Sequence, residues 1–181
     1  MTDAIERLTP PTLDEIRDAQ DRLRSIALRT PLVRLNVDDA PTEVWLKLEN
    51  LQPIGSFKIR GAAYAMQAAP RAELERGVYT ASAGNMAQGV AYIARELGVP
   101  CTVVVPDHAP RTKLAAVERL GGRVHKVPFD RWWQILVDHG SPDYEGVFVH
   151  PVSDRHVMAG NATAGVSAYT QRFVPRTCTI H

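Results

Sequence analysis

Apolar positions along the chain recur with two periods. From Thr12 to Ile26 they fall at Leu13, Ile16, Ala19, Leu23 and Ile26, one face of a helix, and Thr12 with Glu15 has the spacing of a capping box. Pro31 breaks the chain direction, and Val44 to Glu49 alternates apolar and polar residues as a strand does. Gln52-Pro53-Ile54-Gly55 reads as a loop, followed by an alanine-rich helix from about Phe57 to Ala68. The pattern then becomes regular. Strands are expected at Val78–Ala81, Cys101–Val105, Arg123–Val127 and Val147–Val149, separated by helices at Met86–Leu97, Pro110–Leu120 and Arg131–Asp138.

Strands alternating with helices imply βαβ units, so the expected class is α/β, with a mostly parallel sheet covered by helices on both faces. Gly98 and the Gly121-Gly122 pair sit where helices should stop, and no low-complexity linker or internal repeat interrupts the run.

Composition narrows the function classes. At 181 residues the chain can bury one ordinary core, or a small domain plus part of another. Twenty-one Lys and Arg against 20 Asp and Glu leave a net charge of +1, which gives no electrostatic pointer to nucleic acid or an acidic membrane. The N-terminus has no basic segment leading into an apolar run, and no stretch of 18 apolar residues occurs, so a soluble cytoplasmic protein is expected. Two cysteines, Cys101 and Cys178, are too few for a disulfide framework or thiolate site. No histidine pair has zincin spacing, His150 and His156 read as packing and turn residues, and no metal is expected.

In open α/β sheets ligands bind beyond the carboxyl ends of strands, which directs attention to the loops after Leu48, Ala81 and Val149. The first loop leads into Gly55-Ser56-Phe57-Lys58-Ile59-Arg60-Gly61. Lys58 would stand at the first turn of a helix, where the dipole and partial burial both disfavour the ammonium form, and a neutral amine is what a Schiff base requires. An isolated lysine there could equally be a solvated helix-start residue. The second loop reads Ser82-Ala83-Gly84-Asn85-Met86-Ala87-Gln88-Gly89, a strand-to-helix turn whose free backbone N–H groups suit an anion. Asn85 reads either as a ligand residue or as a helix N-cap.

These two segments resemble the lysine loop (K-x-E-x-x-Q-x-x-G-S-F-K-x-R-G-A) and the S-A-G-N-H-A-Q-G loop of the pyridoxal-phosphate (PLP) dependent serine/threonine dehydratases. The similarity continues through Val103-Val104-Val105-Pro106, Ala109-Pro110-x-x-Lys113, Gly121-Gly122-x-Val124 and His150-Pro151-Val152-Ser153-Asp154. It covers roughly residues 12 to 165 with order and spacing kept.

The resemblance implies a fold type II PLP enzyme, a three-layer parallel-sheet fold with its small domain complete and its large domain partial. Residues 1–76 and 151–181 would belong to the large domain, and 77–150 would form the small α/β domain carrying the Ser-Ala-Gly-Asn loop. It also implies that Lys58 holds PLP as a Schiff base and then removes the Cα proton of the substrate. Phe57 would pack beside the pyridine ring and Asn85 would bond its 3′ oxygen. Ser82, Ala83, Gly84, Asn85 and Gln88 would surround the substrate carboxylate. Ala83 lacks the hydroxyl that serine racemases of this fold use on the second face, which points to elimination. Met86 stands in place of the family's histidine, and Asn161 in place of the glutamine of a G-Q-G-T stretch, here Gly160-Asn161-Ala162-Thr163, where Ala162 would add a Cβ at a turn.

The dianionic phosphate of PLP calls for a glycine-rich nest, and Gly121-Gly122 is the only glycine pair. The resemblance also ends near Gly165, and residues 166–181 read as a divergent, poorly packed tail of a truncated or frameshifted chain. Two readings result. One is a dehydratase releasing a 2-oxo acid and ammonia from L-threonine or L-serine, with β-replacement or threonine-synthase chemistry as variants. The other is a catalytically silent fragment that is vestigial or associates with a full-length relative; on either reading the expected partners are a small amino-acid substrate and a second copy of the chain or a full-length relative.

Overall fold

The computed structural model describes residues 9–37 and 42–173. In chain order the elements are α1 (Leu13–Arg22), β1 (Leu32–Leu35), β2 (Val44–Lys47), α2 (Lys58–Ala68), α3 (Arg71–Glu75), β3 (Val78–Ala81), α4 (Asn85–Leu97), β4 (Cys101–Pro106), α5 (Arg111–Arg119), β5 (Arg123–Val127), α6 (Phe129–Val137), β6 (Val147–Phe148) and α7 (Arg155–Phe173), with a short 3₁₀ turn at Glu49–Leu51. Thr12 and Glu15 form the expected capping box at the start of α1.

Strands β3 to β6 make one parallel sheet in the order β5-β4-β3-β6. The α/β class with a parallel sheet is as the periodicity predicts. Strand β4 is apolar apart from the partly buried Thr102, because both of its faces are covered, as parallel strands require. Val78, Val103 and Val105 point into a core shared with α2, α4 and α5, while Tyr79, Ala81 and Val104 point to the opposite face and meet Ile135 of α6. The chain thus runs outward from β3 through β4 to β5 under one helical layer, then returns across the other face to place β6 beside β3. Between β3 and β6 the strand order reverses, and the loops leaving their carboxyl ends diverge there.

A separate antiparallel pair, β1 with β2, lies beside this unit, and α7 packs on α1, α2 and β1. The α2–α7 crossing is close because it is built on glycines. A Cβ at Gly160 would fall 2.5 Å from the Arg60 carbonyl oxygen, and one at Gly61 would fall 2.8 Å from that of Val157.

Two expectations are corrected by α7. The stretch from Val166 is not a loose tail as far as Phe173, but the last turns of a 19-residue helix. Its polar groups have partners on the β1–β2 side: buried Ser167 accepts from Lys47 Nζ at 3.0 Å, and Gln171 Oε1 accepts from the Leu32 amide at 3.1 Å. The polarity of Ser167 and Gln171 therefore reflects hydrogen bonding to a neighbouring element, not exposure to water. Residues 174–181, with Pro175 and Cys178, lie outside the described residues. Gly160-Asn161-Ala162-Thr163 is helical as well, so the Ala162 Cβ meets no turn. The chain's division into two domains remains an expectation.

Candidate active site

Lys58 is the first residue of α2, and the chain fixes that helix end from several sides. The Lys58 amide donates to Ser56 Oγ at 3.3 Å, and the Gly61 amide donates to Asn161 Oδ1 at 3.1 Å. Asn161, the departure from the family glutamine, thus anchors α7 to the first turn of the lysine helix. Two residues after Lys58, the buried Arg60 clamps Glu49 through Nε at 2.8 Å and Nη2 at 2.9 Å, and also donates to the Leu28 carbonyl. A paired, multiply bonded guanidinium of this kind is stable only in its full network, so it fixes α2 against the loop before it.

The Lys58 side chain is half-buried, and burial pushes its amine below the usual lysine range. Its Nζ donates to the Pro151 carbonyl at 3.0 Å and stands 5.5 Å from the centroid of the Phe57 ring, itself 40% exposed. The lysine therefore does not project freely into water. It reaches across to the loop after β6.

The Ser82-Ala83-Gly84 loop leaves β3 at the strand-order reversal. Gly84 is the N-cap of α4, so Asn85 is the first helical residue and not the cap; its side chain is exposed. The Ser82 amide is committed to the Val104 carbonyl at 3.1 Å and the Gly84 amide to Ser82 Oγ at 3.3 Å. What remains for an anion is the set of helix-start amides from Asn85 to Ala87, which have no carbonyl one turn earlier to bond. Met86 is fully buried in the core, which explains why an apolar residue is tolerated there. Gln88 is partly buried on the next turn.

Gly89 brings the two helix starts together. A Cβ at this position would stand 3.3 Å from the Lys58 carbonyl oxygen and 3.2 Å from Ala62 Cβ, so α4 lies directly against the backbone of the lysine.

A cleft of about 660 Å³ opens at the carboxyl edge of the sheet. Ser82, Ala83 and Gly84 form one side, His150 to Ser153 a second, and Phe129, Trp132 and Trp133 of α6 an aromatic wall. Phe57, Lys58, Asn85 and Gln88 do not line it; Lys58 meets its margin through the Pro151 carbonyl. The structure thus joins Lys58 to the Ser82 side of the molecule through the α2–α4 contact and through Pro151, while leaving Gln88 apart. Sequence reasoning misses the Pro151 carbonyl and the aromatic wall, and marks Asn161 only as a departure from the family glutamine, without its bond to Gly61. The His-Pro-Val-Ser-Asp run is the one available signal for the first of these. Among the described residues no group of His, Cys, Asp and Glu could hold a metal, and no helix is long and apolar enough to cross a membrane.

A half-buried lysine at a helix start thus lies against the N-terminus of a second helix where a parallel sheet reverses its order, the layout of a candidate α/β enzyme site. The model of the pyridoxal-phosphate dependent enzyme family matches residues 23–178, and the chain belongs to that family. It is 40% identical over 163 residues to an L-threonine ammonia-lyase of Thermotoga maritima, an alignment covering 86% of this chain and 39% of that protein. A threonine deaminase structure from T.th. superposes with a TM-score of 0.79 at 33% identity, over 89% of this chain and 52% of the other. Maize serine racemase superposes with a TM-score of 0.82 at 28% identity, over 91% and 51%. The chain therefore spans between two fifths and about half of these relatives.

The site residues fit the reactive end of PLP. The Lys58 amine has weakened proton affinity, and the Phe57 ring beside it offers a face for a pyridine. Among the described residues the phosphate end finds no comparable cradle: Gly121 and Gly122, the only adjacent glycines of the sequence, close α5, where their amides bond Glu118 and Val117 carbonyls.

Proposed function

We propose that the chain carries the lysine half of a PLP-dependent ammonia-lyase that eliminates water from L-threonine or L-serine. The observation that carries this reading is the Lys58 amine, half-buried, lowered in proton affinity and held at the margin of the Ser82–Gly84 cleft. PLP, when bound, supplies the electron sink that makes an amino-acid Cα–H acidic. Lys58 and Phe57 would hold it, and Asn85 would bond its ring oxygen.

The residues of the chain then have separate tasks. The helix-start amides of α4, with Ser82, orient the substrate carboxylate. Lys58 Nζ takes the Cα proton, the Cβ–O bond breaks, and the hydroxyl leaves as water; the released enamine is hydrolysed to a 2-oxo acid and ammonia. Ala83 presents a methyl group where a second proton donor would be needed to return a proton to the opposite face, which favours elimination over racemisation. The expected result is 2-oxobutyrate from L-threonine in the presence of PLP, abolished in Lys58→Ala. D-serine formed from L-serine in place of pyruvate would overturn the elimination reading.

A second reading is favoured by the glycine distribution: a silent chain that associates with a full-length relative supplying the phosphate cradle. In that case neither 2-oxo acid nor covalent PLP appears with the chain alone, and both appear when a full-length relative is added.

A further inference from the structure

The loop that presents the Pro151 carbonyl to Lys58 is shaped by the residue before it. His150 is 6% exposed, and its Nδ1 accepts two backbone N–H groups, Val152 at 3.1 Å and Ser153 at 2.7 Å. Those bonds close a tight turn around Pro151, which has no N–H of its own to help. An accepting Nδ1 requires the neutral ring with its proton on Nε2, and the Leu136 carbonyl faces that ring as its backbone partner.

The ring is also roofed. His139 stacks on it with centroids 4.5 Å apart and planes at 23°, and Phe148 meets it edge-on at 5.8 Å. His139 holds φ 53°, the left-handed position that ends α6, where its amide bonds the Leu136 carbonyl and that of Gly140 bonds Ile135. Glycine is the usual residue there, and a side chain is kept against steric cost. The titratable groups facing His150 are the His139 ring and the Asp154 carboxylate; burial, then His139, hold it in the neutral form that the turn requires.

We infer that His150 is a positioning residue for Lys58: its neutral ring folds the 150–153 turn so that the Pro151 carbonyl holds the lysine amine, and a ligand entering the site takes the amine from that carbonyl. The functional sense rests on the reading of Lys58 as the cofactor lysine, but the geometry does not. A carbonyl accepts better from an ammonium than from an amine, so this latch opposes part of the shift that burial imposes on Lys58.

The test is reductive methylation of the full 181-residue chain with formaldehyde and cyanoborohydride, read at each lysine by peptide mass over a range of pH, with exposed Lys126 as internal standard. His150→Leu deletes the acceptor and should lower the pH of half-maximal Lys58 labelling by about one unit, roughly tenfold faster labelling below it. His150→Asn places an amide oxygen where Nδ1 stood and should behave as the native chain. His150→Gln places its oxygen beyond that point and should follow His150→Leu, which keeps the comparison available if the leucine variant does not fold. Lys126 should be unchanged throughout. Identical Lys58 profiles in all four proteins, an upward shift in His150→Leu, or an asparagine variant that follows the leucine variant would overturn the inference. Failure of Lys58 to take up PLP while this labelling pattern holds would instead overturn the proposed function and leave the latch standing.

Discussion

Burial of the Lys58 amine has a thermodynamic counterpart that does not depend on any ligand. Its folded-state pKa lies below that of the unfolded chain. The unfolded state therefore binds more protons between the two values, and stability rises with pH as the folded amine deprotonates. Below the unfolded lysine value this difference in proton binding weighs against the folded chain, and Lys58→Met removes it. That variant should resist urea better than the native chain at neutral pH, and the advantage should shrink toward the unfolded lysine value. Paired urea titrations at neutral and alkaline pH check this, and a methionine variant less stable at neutral pH would show that the ammonium is well accommodated. At this scale Lys58 and the Ser-Ala-Gly-Asn loop are legible in the sequence because their side chains and glycines have fixed spacing. Pro151 is not, since it acts through a backbone carbonyl that any residue possesses. His150 reads as a turn residue, and it is one; what the sequence does not show is which side chain the turn serves.

Among the elements, the helix contacts around α2 set the site, and they make separable demands. A Cβ at Gly160 collides with backbone that cannot yield, 2.5 Å from the Arg60 carbonyl oxygen, whereas one at Gly89 meets atoms at 3.2 Å and beyond. Alanine also gains up to about 1 kcal/mol in a helix relative to glycine. Gly160→Ala should therefore lose about 1–3 kcal/mol through overpacking, while Gly89→Ala should come out near neutral; chemical denaturation of both variants decides, and equal effects would mean that α7 is not closely seated on α2. The link between α1 and α7 is electrostatic. Hydrogen bonding from Arg155, then from Thr12, holds Glu15 down to about 2 from 4.5. A depressed carboxyl contributes above its unfolded pKa and loses that contribution as the pH falls through the folded one. The Arg155–Glu15 link should thus weaken between about 4.5 and about 2, and Glu15→Gln should flatten melting temperature against pH in that window. The strands and helices of the sheet are readable from periodicity, apart from one or two residues at their ends. Helix α7 is not, because Gly, Ala, Ser and Thr mark it weakly and its polar residues bond to α1, α2, β1 and β2 instead of lining one solvated face.

For the molecule as a whole, exposed apolar side chains concentrate on the β1–β2 pair and the end of α7. Val33, Leu35 and Leu46 are exposed on one face of the β1–β2 pair and Trp45 on the other, with Tyr169 and Phe173 exposed on α7, which packs against β1. Apolar surface exposed on this scale favours association, so the purified chain should elute larger than its 20.0 kDa mass in size-exclusion chromatography with light scattering; a monodisperse monomer would contradict this. The central claim is that Lys58 is the lysine that joins PLP. The chain has four lysines, Lys47, Lys58, Lys113 and Lys126, so a covalent label is readily placed. Incubation with PLP, borohydride reduction and peptide mass mapping should put the label on Lys58 alone, and Lys58→Ala should take none. Label spread among the exposed lysines, or undiminished in Lys58→Ala, would contradict the account.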